Sequence, residues 1–178
     1  MQPPGTTEEG RESFVSLDAG QATTLAAVVD RMFPPDEACP GATALGVVSY
    51  IDRQLATAWG RGERMYTQEP YRVAEDGAHG WQSRLSPAGA YACGLAALRR
   101  HARERFGIDF AAASASEQDE LIAAMERGEL AGFEDISSAQ FFDLLHANVQ
   151  EGLFGDPRHG GNRDLLGWRW IGLPGRPL

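Results

Sequence analysis

Lysine is absent from this sequence, and cysteine and histidine are scarce. All 16 basic residues are arginine, a usage too uniform to mark any single one as an interface residue. The two cysteines, Cys39 and Cys93, have no metal-type spacing. They can pair if the compartment is oxidising and their helices abut, but two buried free thiols are an equally good expectation.

Long apolar runs and strand-like alternation are missing as well. No apolar stretch approaches the roughly 20 residues that cross a bilayer, which excludes membrane insertion. Nothing alternates with period two over a useful length, so no sheet is predicted. The first dozen residues lack the basic start and apolar stretch of a secretory signal, and they contain no twin-arginine pair. We expect residues 1–15 to be a flexible arm and residues 16–178 a single helical domain.

The acidic charge of the chain argues against nucleic acid as a partner. There are 25 acidic and 16 basic residues, for a net charge of -9, and such a field repels a phosphate backbone. The segment from Phe154 onward is different, with four arginines against two aspartates. The tail is therefore chemically distinct from the body, which suggests a separate role.

Apolar residues at helical spacing predict an all-α bundle of about five helices. Plausible N-caps are Ser16 for the first helix, Ser86 before Pro87 for the third, and a Ser114–Glu117 capping box for the fourth. The predicted helices run from about Asp18 to Met32, Thr43 to Trp59, Pro87 to Arg105, Ser114 to the residue before Gly128, and Ser138 to Gly152.

Two segments without helical periodicity carry the candidate partner-binding residues. One is the long internal connection 61–84, and connections of this length tend to be functional or to pack on something. The other is the irregular, Gly/Trp-rich C-terminal tail 153–178, where tryptophans supply large anchoring surfaces. Its rings either fold back over the bundle or face a partner, and the two roles are compatible. The candidates are Tyr66, Tyr71, Trp81, Phe154, Asp156, Pro157, Gly160, Gly161, Asn162, Arg163, Trp168 and Trp170.

Catalytic and ligand-binding signatures are weak. No serine sits in a nucleophile elbow and neither cysteine has the context of an activated thiolate, so no catalytic residue is predicted. The loop Asp156–Asp164 also contains His159 and Asn162, which leaves a stand-alone metal- or sugar-binding domain or enzyme as the alternative function. Its spacing is not that of a calcium or zinc site, and Asp156 and Asn162 can instead satisfy backbone amides of consecutive turns.

Several blocks of residues nevertheless resemble one known family. The most specific is Glu-Gly-x-Phe-x-Asp-Pro-x-x-Gly-Gly-Asn, met here by residues 151–162. Upstream blocks are Phe33-Pro34-Pro35, Leu85-Ser86-Pro87 and Met125-Glu126-Arg127-Gly128, and downstream blocks are Gly167-Trp168 and Ile171-Gly172-Leu173-Pro174-Gly175. Over roughly residues 18–175 the chain resembles the small subunit (subunit 3, or gamma) of gluconate 2-dehydrogenase and related dehydrogenases.

The resemblance implies a subunit without a cofactor of its own. Such subunits bind a large FAD-dependent subunit of the glucose-methanol-choline oxidoreductase type, and they help it to mature, stay soluble and, in exported systems, cross the membrane. A cytochrome c subunit in some complexes takes the electrons onward. Glycoside 3-dehydrogenases and oxidases of similar make-up exist, so gluconate is not assumed to be the substrate.

Two features depart from the family pattern. His159 stands where the family more often has an aromatic residue. Members of exported systems usually begin with a twin-arginine signal, which is not visible here. We expect a periplasmic protein if an export signal has been removed, and a cytoplasmic one otherwise.

Overall fold

The described part of the chain is built from α-helices. The computed structural model describes residues 14–37, 39–63, 65 and 83–173, and within these ranges there is no β-strand. The predicted all-α class is therefore confirmed. The helices are α1 (Ala19–Met32), α2 (Val47–Leu55), α3 (Pro87–Phe106), α4 (Ala115–Glu126), α5 (Ser138–Phe154) and α6 (Leu166–Trp170).

Helix α1 starts at a capping box, but not at the residue that the sequence favoured. Asp18, not Ser16, is the N-cap: its carboxylate accepts from the Gln21 N–H at 2.8 Å, and the Gln21 side chain accepts from the Asp18 N–H at 2.9 Å. The helix ends at Met32, as predicted from Pro34-Pro35.

Helix α2 is shorter at both ends than the predicted range 43–59. Gly46 precedes it with a φ of 85°, a left-handed conformation that interrupts an α-helix. Residues 42–46 therefore form turns instead of the first turn of the helix. After Leu55 the chain again continues in turns. The apolar periodicity extends through both turn segments, so it overestimated the length of α2.

Asp52 of α2 fixes the segment that leads into α1. Its side chain is only 3% exposed, and its carboxylate accepts three consecutive backbone N–H groups. Oδ2 accepts from Val15 at 2.8 Å, and Oδ1 accepts from Ser16 at 2.8 Å and from Leu17 at 2.9 Å. This buried charge is thus satisfied by oriented backbone dipoles rather than by a cation.

Helices α3 and α4 begin as the sequence predicted. The Ser86 hydroxyl accepts from the Gly89 N–H, with Pro87 in the first turn of α3. Ser114 and Glu117 form the capping box of α4, and these hydrogen bonds from the Ser114 hydroxyl and amide lower the pKa of the Glu117 carboxyl.

Helix α5 begins at Ser138, as predicted, and is longer than predicted at its end. Ser137 is its N-cap and forms a capping box with Gln140, and Ser138 after it is buried. The helix passes through Gly152 and ends at Phe154, because Gly152 serves packing here and not termination. A Cβ on Gly152 would lie 3.3 Å from Cα of Val47, so the two helices touch closely at this point.

The core contains one buried polar link among its aromatic rings. Tyr91 packs edge-on against Phe141 with ring centroids 5.5 Å apart, and its hydroxyl donates to Asn148 Oδ1 at 2.9 Å. Burial raises the pKa of the Tyr91 hydroxyl well above its usual value, so it stays a neutral donor. Both cysteines are free thiols, and burial raises the pKa of Cys93.

Candidate functional site

The start of the tail is a short turn held by Asp156. Its Oδ1 accepts from the Arg158 N–H at 3.0 Å, and its Oδ2 pairs with the Arg158 guanidinium at 2.6 Å. These two hydrogen bonds, the guanidinium first, lower the pKa of the Asp156 carboxyl. Pro157 occupies the first position of the 3-10 turn Pro157–His159 that follows. The predicted role of Asp156 in satisfying a turn amide is confirmed.

Asn162 joins the tail to the end of α5 and to α6. It is fully buried, and its hydrogen bonds are to backbone atoms. Its backbone N–H donates to Gly152 O at 2.8 Å, its Nδ2 donates to Gly155 O at 3.0 Å, and its Oδ1 accepts from the Gly167 N–H at 2.9 Å. The predicted role of Asn162 in satisfying backbone amides is confirmed as well.

The neighbours of Asn162 connect the tail to α2. The Arg163 N–H donates to the carbonyl of Leu45 at 3.0 Å, and its guanidinium donates to Ser49 Oγ at 3.2 Å. Gly161 passes so close to α5 that a Cβ there would overlap the carbonyl oxygen of Gly152. The Gly-Gly-Asn-Arg block therefore seats the tail against two helices.

The backbone then enters an unusual left-handed run. Asn162, Asp164 and Leu165 have φ values of 45°, 55° and 59°. Each such residue costs about 1 kcal/mol relative to a right-handed one, less for asparagine and aspartate. This turn leads directly into α6.

Helix α6 turns its two tryptophans to different environments. Trp168 is partly buried, and its indole N–H donates to the carbonyl of Phe154 at 2.6 Å. Trp170 is 46% exposed, with its ring edge-on to Phe33 at 5.1 Å and stacked near Phe154 at 6.4 Å. One tryptophan therefore anchors the tail, and the other remains on the surface.

Trp170 lies in a group of apolar side chains that we call the tail patch. Ile171 and Leu173, which follow Trp170, are 51% and 47% exposed. The Leu173 N–H donates to the carbonyl of Trp168 at 2.8 Å, so the chain stays folded against α6 after the helix ends. The tail patch consists of Phe33, Phe154, Trp170, Ile171 and Leu173. Three large apolar residues exposed within four positions are typical of a protein–protein contact.

The structure sorts the predicted site residues into three groups. Asp156, Pro157 and the 160–163 block form the turns that support the tail. Phe154 and Trp170 belong to the tail patch, and Trp168 anchors it from inside. Tyr66, Tyr71 and Trp81 lie outside the described residues. Whether any of these residues touches a partner stays a prediction.

Phe33, Ile171 and Leu173 are members of the tail patch that were not among the predicted contacts. All three occur in the blocks that carry the family resemblance. The sequence feature that could have identified them is therefore their local composition, because each is an apolar residue close to proline or glycine. Local composition does not predict that Phe33 and Trp170 are in contact in the folded protein.

Other parts of the described chain offer little chemistry. No group of three or more His, Cys, Asp or Glu side chains within these residues is arranged to hold a metal ion. A groove of about 530 Å³ beside α1 has no titratable side chain among the described residues that line it, which are Phe14, Leu17, Ala19, Ala22, Thr23, Ala26, Thr43 and Val48. None of the described helices has the length and apolarity needed to span a membrane.

Together these features define a small helical protein whose most distinctive described surface is an apolar patch and not a cluster of reactive groups. Residues 19–175 match the sequence profile of the family described as gluconate 2-dehydrogenase subunit 3. The chain belongs to this family, and it is thereby a subunit of a dehydrogenase complex. No curated protein and no solved structure matches it significantly.

Proposed function

We propose that this chain is a non-catalytic small subunit that binds and stabilises an FAD-dependent catalytic subunit and helps it to mature. The catalytic subunit is of the glucose-methanol-choline type, and it oxidises a sugar, glycoside or gluconate as a dehydrogenase or oxidase. The FAD belongs to that partner. The observation that carries the proposal is the tail patch, because it exposes large apolar groups beside a segment, residues 156–168, that hydrogen bonds hold in place.

The size of the tail patch fits the centre of a protein interface. Trp170, Ile171 and Leu173 together leave on the order of 300 Å² accessible, given about 150–250 Å² for a large side chain. Burying that area is worth roughly 7 kcal/mol at about 25 cal/mol per Å², before the costs of association. Exposed apolar area of this size does not stabilise a monomer, whereas its burial against an obligate partner stabilises the complex.

The tail patch is held rigidly by the residues beneath it, which favours a role in binding a specific partner. Asn162 and Gly161 fix the tail on α5, and Trp168 fixes α6 on the carbonyl of Phe154. A preorganised surface loses less conformational entropy when it binds. The Asp156–Arg163 segment then acts in binding mainly by positioning Trp170.

The alternative, a stand-alone metal- or sugar-binding domain, has no observation in its favour. Asp156 is paired with Arg158, and both ends of the Asn162 amide are bonded to the backbone. A ligand at this loop would have to displace those contacts. In this structure the loop supports the surface of the tail patch.

The test is co-expression with a candidate FAD-dependent catalytic subunit from the same genome, followed by capture through a tag on this chain. We expect a yellow, stoichiometric complex that reduces a dye when sugar is added. Trp170→Ala removes the largest exposed ring and should lower the yield of captured flavoprotein at least tenfold. Trp59→Ala is the matched control, because Trp59 is also exposed, at 38%, but lies outside the tail patch.

Trp168→Ala is less informative, since Trp168 anchors the tail and its loss destabilises the fold. Circular dichroism spectra of each variant establish that capture is compared between folded chains. The proposal fails if the tagged chain is captured alone and colourless from cells that contain soluble flavoprotein. It also fails if Trp170→Ala and Trp59→Ala capture as much flavoprotein as the unaltered chain.

A further inference from the structure

Arg169 lies beside the tail patch with no charged partner. It is exposed on α6 between the two tryptophans, and its guanidinium has no ion pair or hydrogen bond within the described residues. Arg53 has no carboxylate partner there either, but it packs against Gly160. Most other described arginines contact an oxygen atom, namely Arg31, Arg61, Arg99, Arg100, Arg103, Arg105, Arg127, Arg158 and Arg163.

The backbone brings Arg169 close to the exposed apolar residues. The Gly172 N–H donates to the carbonyl of Arg169 at 3.0 Å, which folds Ile171 and Leu173 back beside the helix. Trp170 is the next residue along α6. A planar guanidinium next to tryptophan, isoleucine and leucine is the composition of an interface hot spot.

The charge distribution of the chain indicates what meets this arginine. The whole chain has a net charge of -9, whereas the segment from residue 154 carries four arginines and two aspartates. A partner surface with carboxylates is therefore repelled by the molecule as a whole and attracted near the tail. The arginines at the end of α3 are offset by ion pairs with Asp109, Glu104 and Glu120. A second copy of this chain is disfavoured by the same overall negative charge.

We propose that Arg169 selects and orients the partner by pairing with a carboxylate that borders an apolar depression on the catalytic subunit. The apolar depression receives Trp170, and the carboxylate accepts the two parallel N–H groups of the guanidinium. This inference rests on the proposed function, since it names the chemistry of the surface that the tail patch meets. It makes association depend on ionic strength, because a charge at the rim of an interface acts mainly on the association rate.

The test measures association and dissociation rates with purified catalytic subunit at about 50 mM and 300 mM salt. Arg169→Glu should lower the association rate about tenfold at low salt, and the difference should shrink at high salt. Arg169→Lys keeps the charge and should retain most of the association rate, while dissociation becomes faster. Trp170→Ala should weaken binding at both salt concentrations without changing the salt dependence.

Arg127→Glu is the matched control, since it changes the net charge of the chain by the same amount. Arg127 follows α4 and precedes α5, whereas the tail patch lies beyond the far end of α5. A Cβ on Gly128, the residue after Arg127, would lie 3.7 Å from Cβ of Ala139 in the first turn of α5, whereas Trp170 lies near Phe154 at the other end. The 17 residues of α5 therefore separate Arg127 from Trp170 by about 25 Å. This distance exceeds the screening length of about 10 Å at 0.1 M salt, so the control should change the rate little there.

The outcomes separate the two proposals. If Arg169→Glu binds like the unaltered chain while Trp170→Ala loses binding, the role of Arg169 is refuted and the proposed function stands. Equal effects of Arg169→Glu and Arg127→Glu would also refute it, because only net charge would then matter. If neither tail variant changes binding, the tail patch is not the interface. If the unaltered chain self-associates and Arg169→Glu abolishes that self-association, the surface binds a second copy of this chain and the inference is overturned.

Discussion

Replacing Asp52 with asparagine exchanges one buried oxygen for an NH₂ group and removes the negative charge that holds three backbone amides. In the intact protein Oδ1 accepts from Ser16 and Leu17, and Oδ2 accepts from Val15, at 2.8–2.9 Å. An asparagine can keep one pair of bonds through its oxygen, but its NH₂ group then faces another N–H donor. The substitution therefore weakens two bonds and abolishes the third.

The magnitude follows from the strength of these bonds. A hydrogen bond to a charged group contributes about 1.5–3 kcal/mol, roughly twice a neutral one. Val15 and Ser16 are exposed enough for water to replace part of the loss, whereas Leu17 is buried. We expect Asp52→Asn to lower the free energy of unfolding by about 2 kcal/mol, and Asp52→Ala by about 3–4 kcal/mol.

Urea unfolding followed by circular dichroism measures this difference directly. A matched control is Asp119→Asn, which removes a surface ion pair with Arg31 and should cost less than about 1 kcal/mol. Asp52→Asn within about 0.5 kcal/mol of the unaltered protein would refute the reasoning. In that case the N-terminal segment would be held by apolar contacts of Phe14 and Leu17 and not by the carboxylate.

Two further substitutions test close packing and backbone conformation. Gly94→Ala should destabilise the fold by about 1–3 kcal/mol in the same assay, because a Cβ at Gly94 overlaps the ring of Phe141. Gly89→Ala in the same helix has room for its Cβ and should be neutral or stabilising by about 0.5 kcal/mol, so equal losses from both would contradict the packing argument. Glu134→Gly should exceed Glu134→Ala in stability by about 1 kcal/mol, since Glu134 has a φ of 53°. A more stable alanine variant would show that this loop is not strained.

Most of the helical framework could be predicted because its helices begin at local signals. Ser114 and Glu117 lie three residues apart and define their capping box without help from the rest of the fold. The error in α2 has a different origin: the apolar pattern extends from residue 43 to 59, but Gly46 adopts a left-handed conformation, so the helix starts only at Val47. Periodicity reports which residues are buried, and turns can bury them as well as a helix.

The turns of the tail could be predicted from the sequence, but helix α6 and the contacts of the tail with the bundle could not. Asp156 and Asn162 are typical turn residues, and both form the expected backbone bonds. The short helix α6 was missed, because its five residues are too few for periodicity and no side chain caps its start. The contact between Phe33 and Trp170 depends on the whole bundle, so no local pattern can predict it.

The attachment of the tail to α2 links the patch to the folding history of the chain. Arg163 and Ser49, which are hydrogen-bonded, are 114 positions apart in the sequence, so their contact forms only after most of the chain has been synthesised. Phe33 is translated early and Trp170 late, and they become neighbours only when the two regions have docked. A catalytic subunit that contacts both rings, as proposed above, would bind only a small subunit in which these two regions have docked.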